Sequence, residues 1–158
     1  MNSGAALYSI MIEPMQHDQI SQVVALELEC GLSTRGEGGY RQALEDCQFI
    51  FLVALAIGPA GRRELIGIFC GQLVLDELQI DNVAVANPWR QQGVASRLLA
   101  EGLACSRHRG ANSAVLEVRA ANRTAQLLYR KAGFLPVGHR PGYYHDPPDD
   151  ALIMSCAF

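Results

Sequence analysis

Lysine is almost missing from this chain: among 158 residues, Lys131 is the only one. A triphosphate cradle of the Gly-Lys-Ser/Thr kind is therefore excluded. There is no basic run either, and the formal net charge is −3, which argues against broad electrostatic binding to nucleic acid. No apolar stretch reaches membrane-spanning length. Met1-Asn2-Ser3-Gly4 carries neither the charged leader nor the apolar segment of a secretory signal, so a cytoplasmic location is the expectation by elimination. Cys30, Cys47, Cys70, Cys105 and Cys156 stand singly, with no Cys-x-x-Cys pair, and zinc spacing is absent; no metal is expected. An odd set placed mostly in apolar or helical runs reads as reduced core thiols.

What is present is enough apolar residue for one full core, and a single domain over 1–158 is expected. Leu7 to Ile12 partly alternates and predicts a strand. From His17 to Glu29, the apolar residues Ile20, Val23, Val24, Leu26 and Leu28 predict a helix closed by Gly31. Residues 31–39 hold four glycines and predict a loop, followed by a short helix from Tyr40 to Cys47. Phe49 to Ile57 is nearly unbroken apolar sequence, the pattern of a strand covered on both faces. Leu65 to Leu75 and Leu78 to Val85 continue as strands. A helix from Val94 ends in Arg107-His108-Arg109 before Gly110, matching the charge and glycine preferences of a helix C-terminus. Ala114 to Val118 is a strand, Asn122 caps a helix through Lys131, and Phe134 to Val137 with Ala151 to Cys156 predict a closing hairpin. Between those last two, Arg140 to Pro148 is aromatic and proline-rich, the composition of a loop that could wall a substrate site. This order implies an α/β fold, a mixed sheet with helices on both faces.

The stretch from Leu78 to Gly110 is the one with chemical content. The strand ending Val83-Ala84-Val85 is stopped by Asn87-Pro88, and the turn Arg90-Gln91-Gln92-Gly93-Val94-Ala95-Ser96 feeds directly into a helix. The first N–H groups of a helix have no partner within it, and the helix dipole places positive potential there, so an anion is the natural occupant. Gly93 and Ala95 leave the backbone open to a phosphate. The three glycines and distant acidic residue of a dinucleotide fingerprint are not found.

At Arg90-x-x-Gly93-x-Ala95 the sequence resembles the GNAT acetyltransferases, whose Gln/Arg-x-x-Gly-x-Gly/Ala signature holds the pyrophosphate of acetyl-coenzyme A. Leu116-Glu117-Val118-Arg119, Asn122, Leu128-Tyr129, Gly133-Phe134, Tyr143-Tyr144 and Ala151-Leu152-Ile153-Met154 are similar to the RimI-type branch, which acetylates the N-terminal alanine of a ribosomal protein. The resemblance implies a GNAT fold, a mostly antiparallel sheet of about seven strands flanked by about four helices. It implies that Val83, Ala84, Val85, Arg90, Gln91, Gln92, Gly93, Val94, Ala95, Ser96 and Asn122 bind acetyl-CoA, that Glu117 is the catalytic base and that Tyr129 is the acid for the leaving thiolate. The implied acceptor is a primary amine, first of all a protein N-terminus such as that of a ribosomal protein. A small-molecule amine, a protein lysine, or a non-catalytic CoA sensor are the other readings. The family carries a proline and aromatic motif between its first two helices, whereas this chain has Gly31 to Tyr40 there, which leaves the acceptor open.

Overall fold

The computed structural model describes residues 7–158, so the reading of Met1 to Gly4 lies outside the described residues. Seven strands form one sheet: β1 (Ser9–Pro14), β2 (Phe49–Ile57), β3 (Arg63–Val74), β4 (Glu77–Val85), β5 (Ser113–Arg119), β6 (Leu135–His145) and β7 (Pro148–Ala157), in the order β1-β2-β3-β4-β5-β7-β6. Every neighbouring pair is antiparallel except β4 with β5. Four α-helices complete it: α1 (Ile20–Glu29), α2 (Gly36–Ala43), α3 (Val94–His108) and α4 (Arg123–Lys131). This is the mixed, mostly antiparallel α/β sheet expected from the sequence.

The central strands are covered on both sides, as the unbroken apolar run of β2 requires. On one face Leu98, Leu99 and Leu103 of α3 pack with Ile66, Phe69 and Leu116, each buried leucine contributing about 1.5–3 kcal/mol. Gly102 lets α3 approach: a Cβ there would collide with the Phe69 ring. On the other face Val23 and Leu26 of α1 and Tyr40 of α2 close over Phe51, Val53 and Ile68.

The first strand begins at Ser9, not Leu7. The second helix starts at Gly36 and ends at Ala43, so the glycine-rich segment read as loop is its body; burying Tyr40 and Ala43 outweighs a cost of about 1 kcal/mol per glycine. In α1 the buried stripe is Ile20, Val23, Leu26 and Glu27, while Leu28 points out and is 62 % exposed. The segment read as a loop from Arg140 is mostly strand, turning only at Asp146 and Pro147. Pro141 is tolerated because β6 is an edge strand and its pairing is interrupted between Arg140 and Tyr144, where no N–H is needed. Of the cysteines read as core thiols, Cys70 is buried, Cys30, Cys105 and Cys156 are partly so, and Cys47 is exposed.

One feature of the sheet builds a site. The parallel pairing of β4 with β5 runs only from Glu77↔Ser113 to Ile80↔Leu116. Asp81 sits at an irregularity against β3, between the Cys70↔Asn82 and Gly71↔Ile80 pairs. Beyond it the two strands part, and a wedge opens between residues 81–85 and 117–119.

Candidate active site

The wedge lies in a cleft of about 810 Å³ whose lining includes Asp81, Asn82, Val83, Glu117, Asn122, Tyr129, Arg140, Tyr143 and Tyr144. Val83 of β4 lines the cleft, and the strand runs on from there into the turn before α3. Gln91 and Gly93 both take left-handed backbone, with φ of 61° and 79°. Gly93 is the N-cap of α3 and no side chain caps the helix; Arg97 is the first residue to return an N–H bond, to Gly93 O at 3.1 Å. Among the described residues, the N–H groups from Gln91 through Ser96 find no protein acceptor. A Cβ at Gly93 would meet nothing within 4 Å, so the backbone here is open to a ligand. These unpaired amides at the positive end of a helix fit the diphosphate of coenzyme A.

The strand edge leading into this turn is also prepared. Ala86 N–H bonds to Ile66 O of β3, and the alternation of an antiparallel ladder then turns the peptide groups of Val83 and Val85 toward the wedge, with those of Ala84 toward β3. Val85 O is already taken: Arg90 Nε donates to it at 3.0 Å. The Arg90 guanidinium also lies 3.5 Å from Cys30 Sγ, so this side chain ties the end of β4 to the C-cap of α1, while the Arg90 backbone N–H bonds to Asn87 O. Asn122 caps α4, its Oδ1 accepting from Ala125 N at 3.1 Å, while the residue still lines the cleft.

Glu117 stands on β5 on the face opposite buried Leu116 and Val118, as strand alternation demands. Its carboxylate takes an ion pair from Arg140 Nε at 3.1 Å. Tyr143 borders the same carboxylate, and that hydrogen-bonding proximity, with burial, raises its phenol above the ordinary range. Tyr129 is the one buried residue of α4, and its ring meets Phe134 edge-on at 5.8 Å. Burial, with a smaller contribution from the Tyr144 phenol, pushes Tyr129 up to about 12, so its proton is held throughout the neutral range. The structure thus brings the predicted carboxylate and phenol into one cleft, which Val83 at the wedge also lines. A carboxylate able to accept a proton, a phenol able to give one and inward-turned strand amides are the parts of an acyl-transfer site.

Sequence reasoning did not single out Asn82 or Glu27, and it read Arg140, Tyr143 and Tyr144 only as part of a stretch able to wall a substrate site, the two tyrosines also among the residues of the family resemblance. The Tyr143-Tyr144 pair was visible as an aromatic patch, and Arg119 stacks over Tyr144 at 4.2 Å to hold it in place. Arg140 gave no local signal, since it meets Glu117 only because β6 lies beside β7, and β7 beside β5.

Comparison with known proteins agrees with this geometry. Residues 20–134 match the Acetyltransferase (GNAT) family. A Bacillus subtilis protein named as a putative ribosomal protein bS18-alanine N-acetyltransferase is 32% identical over 158 residues, covering 98% of this chain and 96% of its own. Among solved structures, the Escherichia coli ribosomal-protein-S18-alanine N-acetyltransferase superposes with a TM-score of 0.79 at 24% identity, covering 94% of each chain. Arabidopsis thaliana NAA60 in complex with acetyl-CoA gives 0.86 at 18% identity, covering 95% of this chain and 99% of that one; at such identities the likeness is one of fold.

Proposed function

On the premise that the chain belongs to the GNAT acetyltransferase family, as an acetyl-CoA-dependent enzyme of its RimI-like branch, we propose that it acetylates the α-amino group of a protein N-terminus. The observation that carries this reading is the convergence of Glu117 and Tyr129 on one cleft that Val83, near the end of β4, also lines, with the unpaired amides of residues 91–96 in the turn that follows that strand. The full-length relative in B. subtilis, named for alanine acetylation of ribosomal protein bS18, supports a ribosomal protein as the first acceptor to test and the cytoplasm as its place. Residues 1–158 act as one catalytic domain in this reading.

Acetyl-CoA supplies an acyl group activated as a thioester. The amides of Gln91, Gln92, Gly93, Val94, Ala95 and Ser96 hold its diphosphate, and Asn122 and the wedge-facing groups of Val83 and Val85 bind the arm. A strand N–H in the wedge stabilises charge developing on the carbonyl oxygen. Glu117 removes a proton from the attacking amine, directly or through water, and Tyr129 returns one to the departing sulfur. An α-amino group ionises at about 7.7–8.0, against about 10.4 for lysine, so a peptide N-terminus is the easier nucleophile near neutrality. Thiol release from acetyl-CoA, measured with a peptide beginning in alanine, the same peptide N-terminally blocked, polyamines and aminoglycosides, checks the proposal. Release with the free peptide only is the expected result. Release with polyamines or aminoglycosides alone would transfer the function to small amines, and none with any amine would favour a CoA sensor.

A further inference from the structure

Charged side chains are rarely fully buried without an ion partner, yet Glu27 on α1 has no exposed surface and takes part in no ion pair among the described residues. Its Oε1 accepts from the Tyr40 hydroxyl and from Asn82 Nδ2 at 2.9 Å, with Cys70 Sγ at 4.0 Å. Burial holds the Tyr40 phenol and the Cys70 thiol above their ordinary ranges, so both keep their protons. Oε2 has no partner, a costly arrangement that the fold nonetheless keeps.

The three groups that meet Glu27 all line the cleft, so the carboxylate lies directly behind its wall. Asn82 gives its second amide proton to Ser33 O at 2.8 Å. Next to it on β4, Asp81 takes Arg35 Nη2 at 2.7 Å, and the same guanidinium rests on Phe49 at 4.4 Å. Residues 31–35 are thereby fastened to β4 at the two positions where its pairing with β5 has ended. They line the same cleft as Glu117, from the β4 side. None of these contacts involves residues 91–96.

We propose that Glu27 is a positioning residue for the acceptor: through Asn82, its buried carboxylate holds residues 31–35 as the wall against which the acceptor's first residues lie. This rests on the peptide-acceptor reading above. Glu27→Ala should raise the KM for an alanine-initiated peptide about tenfold while leaving kcat and the KM for acetyl-CoA nearly unchanged. Asn82→Ala should do the same, and the double variant should be no worse than the weaker single, since both act through one relay. Glu27→Gln keeps an oxygen that accepts from Tyr40 and Asn82 and should restore most of the peptide affinity. Hydrogen exchange should show faster exchange at residues 31–35 in Glu27→Ala, with the α3 turn unaffected. Should Glu27→Ala fold poorly, Asn82→Ala, at the cleft surface, carries the test alone. An unchanged peptide KM in both variants, additive effects, or a parallel rise in both KM values with a general fall in Tm would overturn the proposal. If no peptide makes the wild-type protein release thiol, the acceptor reading itself fails and this inference with it; a peptide-active wild type with indifferent variants sinks only the role of Glu27.

Discussion

Glu117→Gln is expected to lower kcat by about 10²–10³-fold while acetyl-CoA binds as before, because the amide keeps the shape of the side chain but cannot take a proton. The deficit should be largest at low pH. An acceptor α-amine titrates at about 7.7–8.0, so below that range most of it is protonated and a base is needed; as pH rises past it, free amine accumulates and the variant recovers part of the rate. The loss of the Arg140 ion pair, partly exposed at Glu117, accounts for little, since such pairs contribute about 0–1 kcal/mol. Steady-state rates over a pH series, with calorimetric titration of acetyl-CoA, decide the matter. A variant with wild-type turnover would remove Glu117 from the chemistry.

Tyr129→Phe is the second large effect. A phenol raised to about 12 stays protonated through the whole neutral range, so removing it should lower kcat by about 10²-fold without a pH-dependent recovery. That flat deficit distinguishes an acid from the base at Glu117. The ring still packs on Phe134, so Tm near neutrality should barely move. In alkali the sign is different. The ordinary phenol ionises at 10.0 and the folded Tyr129 at about 12, so the unfolded chain loses its proton first. The stabilisation carried by this shift is complete below pH 10 and disappears as pH climbs to about 12. Tyr129→Phe should flatten that part of the unfolding profile, followed by circular dichroism. Unaltered turnover at every pH would reduce Tyr129 to a core residue.

The sequence carried those features whose cause is local. The apolar run of β2 could be matched to a strand covered on both faces, and the turn from Arg90 to Ser96 could be read as a helix start open to an anion. Features decided by tertiary contact were not legible. Glu27 and Leu28 are adjacent, and their hydropathies point the wrong way; only the cluster of Tyr40, Cys70 and Asn82 explains why the carboxylate is inside and the leucine outside. Gly36 to Gly39 have poor helix propensity and fold as helix because Tyr40 must reach the core. The prolines of β6 signal a break in an interior strand, but an edge strand has no outer partner to satisfy. The wedge itself depends on how far β4 and β5 pair, which composition does not encode.

The peptide N–H groups of Gln91 to Ser96 are proposed to hold the donor, and amide resonances report on them directly. Titrating ¹⁵N-labelled protein with acetyl-CoA should move the resonances of Gln91 to Ser96 most strongly, together with Val83 and Val85, while those of the β1 edge stay still. If acetyl-CoA binds and the resonances of residues 91–96 do not shift, the donor lies elsewhere and the roles assigned to Glu117 and Tyr129 are wrong.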